Sequence, residues 1–211
     1  APFSPYAQMK KFFIAPIVFI LVQLAVPVFA DEFKDGLDAV NQGDFETAFA
    51  KWEPLAKRGS ALAQFNLGLM YDKGEGVKRN YRKAAKWYKL AAKQRIASAQ
   101  FNLGALYSKG KGVKQSFKKA AMFYTRAAKQ GNASAQFNLG LMYDVGEGVT
   151  PDYQRAIKWY RLAAQQNNTQ AQFNLGQLYE SGERVTQDYK KVVKWYKLAA
   201  ENGNELAQVR L

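Results

Sequence analysis

The chain contains neither cysteine nor histidine. Together these absences remove disulfides, thiol nucleophiles, imidazole bases and the usual zinc ligands. No phosphate-cradling Gly-x-x-x-x-Gly-Lys loop occurs, and no Lys-Thr-Gly motif. Acidic residues are in short supply: 17 stand against 31 lysines and arginines, a net charge of +14. That balance favours anionic partners and says nothing about fold. Hydrophobic residues make up 48% of the 211 residues, which argues against disorder.

What the chain does have is a repeat. Ala-Gln-Phe-Asn-Leu-Gly begins at Ala63, Ala99, Ala135 and Ala171, and a degenerate fifth copy begins at Ala207. A fixed period of 36 residues is the signature of a stacked solenoid, in which neighbouring repeats bury the core and leave long faces for binding. Within residues 60–95, Ala63, Leu67, Met70 and Tyr71 recur at helical spacing and predict helix A over 61–73. Gly68, Gly104, Gly140 and Gly176 interrupt that helix at one register, at about 1 kcal/mol each relative to alanine. A penalty repeated four times predicts close helix–helix approach there. Gly74 suits a left-handed C-terminal cap. Val77, Val113, Val149 and Val185 are expected to pin the loops to the core.

Helix B follows Asn80, whose counterparts Asp44, Ser116, Asp152 and Asp188 are all favoured N-cap types. Tyr81, Ala84, Trp87, Tyr88, Ala91 and Ala92 form its predicted buried side. Gly59, Gly131, Gly203 and Asn167 follow helix B in a slot suited to positive φ, and Arg95 departs from that rule. Short turns between helices give antiparallel pairs and an all-α class. The expected units are 60–95, 96–131, 132–167 and 168–203, preceded by a divergent capping unit over 31–59. Residues 204–211 open a further repeat whose Leu206, Val209 and Leu211 lack a cover, as in a piece of a longer array.

The N-terminal region reads as an export signal over residues 9–30. Met9-Lys10-Lys11 supplies positive charge, Phe12 to Val26 is apolar apart from Pro16 and Gln23, and Val28-Phe29-Ala30 offers small residues for cleavage near Ala30. The alternative is an uncleaved membrane anchor. Residues 1–8 read as upstream sequence. Two bases and no acids lie in the signal, so about +12 remains after its removal. The expected location is periplasmic or secreted.

The recurring residues resemble the Sel-one-like repeat family, a relative of the tetratricopeptide repeats. They stand as Ala61, Ala63, Gln64, Leu67, Gly68, Tyr71, Gly74, Gly76 and Val77, then Ala84, Trp87, Tyr88, Ala91 and Ala92. Arg184, Phe123 and Val192 depart from the pattern. The resemblance implies a right-handed superhelical solenoid with a concave face lined by A helices, and adaptor work in protein complexes.

Two faces are candidates for binding. Asn66, Asn102, Asn138 and Asn174 precede the Leu-Gly pair of helix A and would face the groove. Their amides can donate and accept, and so hold an extended peptide backbone. Phe65, Phe101, Phe137 and Phe173 would add apolar contact. Asp72, Asp144 and Glu180, with Ser108 between them, form a mildly acidic row; Leu69, Ala105, Leu141 and Gln177 form another variable one. Structural roles compete with this reading: an asparagine can satisfy a nearby carbonyl, and phenylalanine can be inter-repeat core.

Helix B carries the positive charge. Lys83, Lys119, Arg155 and Lys191 form one row, Lys86, Lys158 and Lys194 a second, and Lys89, Arg161 and Lys197 a third. Offsets of three place them on one helical face as a basic outer ridge. Such a ridge attracts an acidic glycan, an anionic lipid surface or, less favoured, nucleic acid. A solvated face that aids solubility is the plainer reading.

Catalysis finds little support. Ser116-Phe117-Lys118-Lys119 matches the Ser-x-x-Lys pattern of β-lactam hydrolases, but Ser116 occupies the N-cap slot and lysine is abundant. The carboxylate pairs, Asp72 with Glu75 and Asp144 with Glu147, arise from repetition. The chain is therefore expected to be an exported, non-catalytic scaffold without cofactor or metal. Its expected partner is a protein or peptide segment held in the groove.

Overall fold

The structure, a computed structural model, describes residues 32–183 and 185–210. The signal segment, residues 1–8, Arg184 and Leu211 lie outside the described residues. Among those described there are helices and no strands. They are α1 (32–41), α2 (Phe45–Lys57), α3 (Ala61–Lys73), α4 (Tyr81–Lys93), α5 (Ala97–Lys109), α6 (Phe117–Lys129), α7 (Ala133–Val145), α8 (Tyr153–Ala164), α9 (Thr169–Ser181), α10 (Tyr189–Glu201) and α11 (Glu205–Arg210). Each helix packs on its chain neighbours, so helix pairs stack into an all-α solenoid. None of the described helices is long and apolar enough to cross a membrane.

The helix ends follow from side-chain chemistry. Asp44, Asn80, Ser116, Asp152 and Asp188 each accept a hydrogen bond from the backbone N–H three residues on, as expected at the start of helix B. Ser60, Asn132 and Asn168 do the same for helix A, a second set of caps that the sequence reading overlooked. Gly74, Gly110, Gly146 and Gly182 close helix A in the left-handed region. Arg95 takes φ 66° in the slot filled elsewhere by glycine or by Asn167.

The helix A glycines lie where helix B comes close, as expected. A tyrosine ring of helix B makes the nearest contact, with helix B backbone oxygens of Ala120 and Ala156 also within 3.4 Å of a Cβ at Gly104 and Gly140. A Cβ on Gly68 would lie 2.4 Å from Cδ1 of Tyr88, and Tyr124, Tyr160 and Tyr196 cover Gly104, Gly140 and Gly176 likewise. Tyr88, Tyr160 and Tyr196 are fully or almost fully buried. The predicted apolar side of helix B needs one adjustment: Ala84, Ala85, Tyr88, Ala91 and Ala92 are buried, whereas Tyr81 and Trp87 are only half-buried. Val77, Val113, Val149 and Val185 pack against the core, as the loop reading required.

The core forms four consecutive clusters along the chain. A buried glutamine ladder ties them together. Gln64, Gln100, Gln136 and Gln172 donate to Ala56, Ala92, Ala128 and Ala164 carbonyls at 3.0–3.2 Å. Each then accepts from Gln94, Gln130, Gln166 or Asn202 of the same repeat's helix B end. A buried amide so paired avoids the penalty of an unmade hydrogen bond and links one repeat to the last turn of the repeat before it.

Candidate binding groove

The asparagine and phenylalanine rows are all half-buried along helix A. The phenylalanines first serve packing. Phe65, Phe101, Phe137 and Phe173 lie 5.5–6.1 Å, centroid to centroid, from Tyr88, Tyr124, Tyr160 and Tyr196. Their remaining exposed edges are what a ligand can reach.

The polar rows form one structure rather than two. Tyr88 donates to Asp72 at 3.1 Å, Tyr160 to Asp144 at 3.3 Å and Tyr196 to Glu180 at 2.6 Å. The side chain of Asn102, in the following repeat, lies near the Tyr88 hydroxyl and offsets a small part of that group's upward shift. In the last copy, Arg210 occupies the asparagine register and donates to Glu180 at 2.9 Å. At Asp72 and at Glu180, an acid, a buried tyrosine and a polar residue 30 positions after the acid thus meet across the repeat boundary. Burial, then the nearby Asp72 charge, pushes the Tyr88 hydroxyl far above the ordinary tyrosine range. Tyr196 moves the same way, through burial first and then its bond to Glu180. Ser108 interrupts the acidic row, and burial alone pushes Tyr124 up to about 12.

The asparagines are unequal. Asn138 donates to its own helix at Ser134 O, 2.8 Å, and Asn102 lies near the Tyr88 hydroxyl. Asn174 lines a recess of about 320 Å³ together with Asp144, Gln177, Leu178, Ser181 and Glu183. This recess joins a member of the asparagine row, a member of the acidic row and the variable position Gln177.

The basic rows are exposed throughout. Charge is segregated by helix type. The B helices α4, α6, α8 and α10 carry 16 lysines and arginines and one acid, Glu201. The A helices α3, α5, α7 and α9 carry two bases and three acids. The first basic row is partly engaged, because Lys83, Lys119, Arg155 and Lys191 lie 4.8–5.2 Å or, for Arg155, 5.5 Å from the rings of Tyr71, Tyr107, Tyr143 and Tyr179. Arg155 and Lys191 also pair with their N-cap aspartates. Lys86, Lys158, Lys89 and Lys197 have no ion pair among the described residues, whereas Lys194 lies over Trp195 and Arg161 donates to Tyr179. Ser116 accepts from Lys119 N and does the work of an N-cap.

Stacked helix pairs, buried aromatic spacers and a polar groove define a helical repeat scaffold. The chain belongs to the Sel1 repeat family, which it matches over residues 61–95, 97–132, 133–168 and 169–204. Proteins of this family commonly serve as scaffolds for protein interaction. Among solved structures, a Sel1 repeat protein from Oxalobacter formigenes is 34% identical, with a TM-score of 0.79, over 85% of this chain and 74% of its own. The protective antigen c5321 of uropathogenic Escherichia coli, which displays the SLR fold, is 32% identical with a TM-score of 0.80. It matches 87% of this chain, which spans only 40% of that protein. The immunity protein Pa5087 of Pseudomonas aeruginosa shares the fold at 23% identity, with a TM-score of 0.51 over 76% of this chain and 59% of its own. No curated protein matches the sequence.

Proposed function

We propose that the protein is an exported, non-catalytic scaffold that captures an extended peptide segment in its concave groove. The observation that carries this reading is the recurring acid–tyrosine bond, Tyr88 to Asp72, Tyr160 to Asp144 and Tyr196 to Glu180, which sets polar groups along the A helices beside the asparagine row. Asn66, Asn102, Asn138 and Asn174 would hold the backbone of the segment. Asp72, Asp144 and Glu180 would favour basic side chains on it, and the exposed edges of the four phenylalanines would supply apolar contact. The export part rests on Met9-Lys10-Lys11 and the apolar run after it; cleavage near Ala30 would appear in the mass of the fractionated protein. The groove is tested by selecting peptides from a display library and measuring their affinity for the chain with all four asparagines changed to alanine. Loss of binding with an intact helical fold supports the groove, and unchanged affinity removes it.

The segregation of 16 bases onto the B helices favours a second reading, in which the outer face attracts an anionic glycan or envelope surface. Its affinity would fall steeply with salt. Charge reversal at Lys86, Lys158 and Lys194 tests it with the least disturbance, because none of them pairs with an acid among the described residues.

A further inference from the structure

Two positions break the repeat frame toward arginine, and both line one recess. The slot after helix B holds Gly59, Arg95, Gly131, Asn167 and Gly203 in successive copies. All five have positive φ, so Arg95 accepts a backbone that glycine takes without strain. One turn before the end of helix B, the copies read Leu90, Arg126, Leu162 and Leu198. Arg95 and Arg126 meet with Lys93 and Lys129 around a recess of about 490 Å³ between the first two full repeats. Gln100 and Gln130, joined at 2.7 Å, form its wall. The Arg126 guanidinium lies 5.5 Å from the Phe123 ring, which steadies it.

The same positions at the other junctions provide internal comparisons. They hold Lys57, Gly59, Leu90 and Lys93 before this one, then Lys129, Gly131, Leu162 and Gln165, and last Gln165, Asn167, Leu198 and Glu201. Four cations therefore converge only at this junction among these four. No acid lines the recess, and none of the four cations forms an ion pair among the described residues. Lys93, Arg126 and Lys129 also sit in the last turns of α4 and α6, where a helix end favours positive charge. That explanation leaves Arg95, which lies beyond the helix end in a slot held elsewhere by glycine or asparagine, and it does not bring the four cations to one recess.

We infer that this recess binds a phosphate group, as free phosphate or as a phosphomonoester. The two guanidinium forks match phosphate oxygens, and the lysines add charge that an anion relieves. The site requires neither the peptide groove nor the remainder of the outer ridge. The structure also provides a variant that spares the fold: Arg95→Gly with Arg126→Leu installs the residues of the sister repeats.

The test is titration of the full chain with inorganic phosphate, followed by NMR, and sedimentation with phosphatidylcholine vesicles with and without phosphatidic acid. The wild type is expected to bind phosphate, with sulfate competing. The double variant should weaken binding by at least about tenfold, given the strength of charge-assisted bonds, without lowering the melting temperature. Lys78→Gln with Lys114→Gln removes the same charge in the loops after helix A, away from the recess and the ridge, and should stay within about twofold of wild type. Phosphate binding without vesicle binding assigns a free ligand; added vesicle binding that needs phosphatidic acid and both arginines assigns a lipid headgroup. Absence of binding in both arms, or equal weakening by the two double variants, overturns the site.

Discussion

Replacing Gly68 by alanine isolates the contact that sets the spacing of the two helices in a repeat. In an ordinary helix interior the change stabilises by about 1 kcal/mol. Here the new methyl would stand 2.4 and 2.5 Å from Cδ1 and Cε1 of Tyr88, a fully buried ring that cannot swing away. Overpacking of this kind costs roughly 1–3 kcal/mol, so the net loss lies between zero and about 2 kcal/mol once propensity is credited, and the short contact at Gly68 places it toward the upper end. The repeats supply a graded series. The corresponding contacts are 2.5 Å at Gly176, 2.7–2.8 Å at Gly140 and 2.9 Å at Gly104. Urea unfolding of the four single variants should therefore rank Gly68→Ala and Gly176→Ala as most destabilised and Gly104→Ala as near neutral, with similar denaturant slopes. A Gly68→Ala protein as stable as wild type, or an inverted ranking, would refute the ring-seat argument.

Further outcomes follow from other contacts. Gln136→Ala should destabilise by roughly 1–2 kcal/mol in the same urea assay, because two hydrogen bonds of a buried amide are lost, although the Ala128 carbonyl keeps the Gly131 N–H and the Gln166 amide keeps the Leu162 carbonyl. Arg95→Gly should raise the melting temperature, since glycine removes left-handed strain; a drop would mean that Arg95 makes a stabilising contact of its own. The Tyr124 hydroxyl keeps its proton in the fold up to about pH 12, whereas an unfolded tyrosine loses it near pH 10. The stability it contributes is whole below pH 10 and is lost as pH rises from about 10 to 12, so Tyr124→Phe should flatten that part of the alkaline unfolding profile.

Much of this fold can be read in the sequence because the repeat states each local rule several times. Asp44, Asn80, Ser116, Asp152 and Asp188 announce helix starts through side-chain oxygens, and Gly74 announces an end through its freedom of φ. Contacts between repeats are harder to see. Asp72 and Asn102 lie 30 residues apart, and only the stacked geometry shows that they share a boundary. The asparagine and acidic rows thus looked independent, although Asp72 and Asn102 both approach the Tyr88 hydroxyl. Gly68 showed that space was needed without naming Tyr88 as its occupant. Arg95 stands out in the sequence only as an exception to its slot and Arg126 gives no signal of its own, because their convergence needs the third dimension.

The central claim is that the captured segment lies in the groove and not on the outer face. A photo-crosslinking residue at Gln177, exposed beside the Asn174 recess, and another at Lys158 on the ridge separate the two directly. With a selected peptide bound, the account predicts crosslinking from position 177 and none from position 158. Crosslinking from 158 with none from 177 would contradict it.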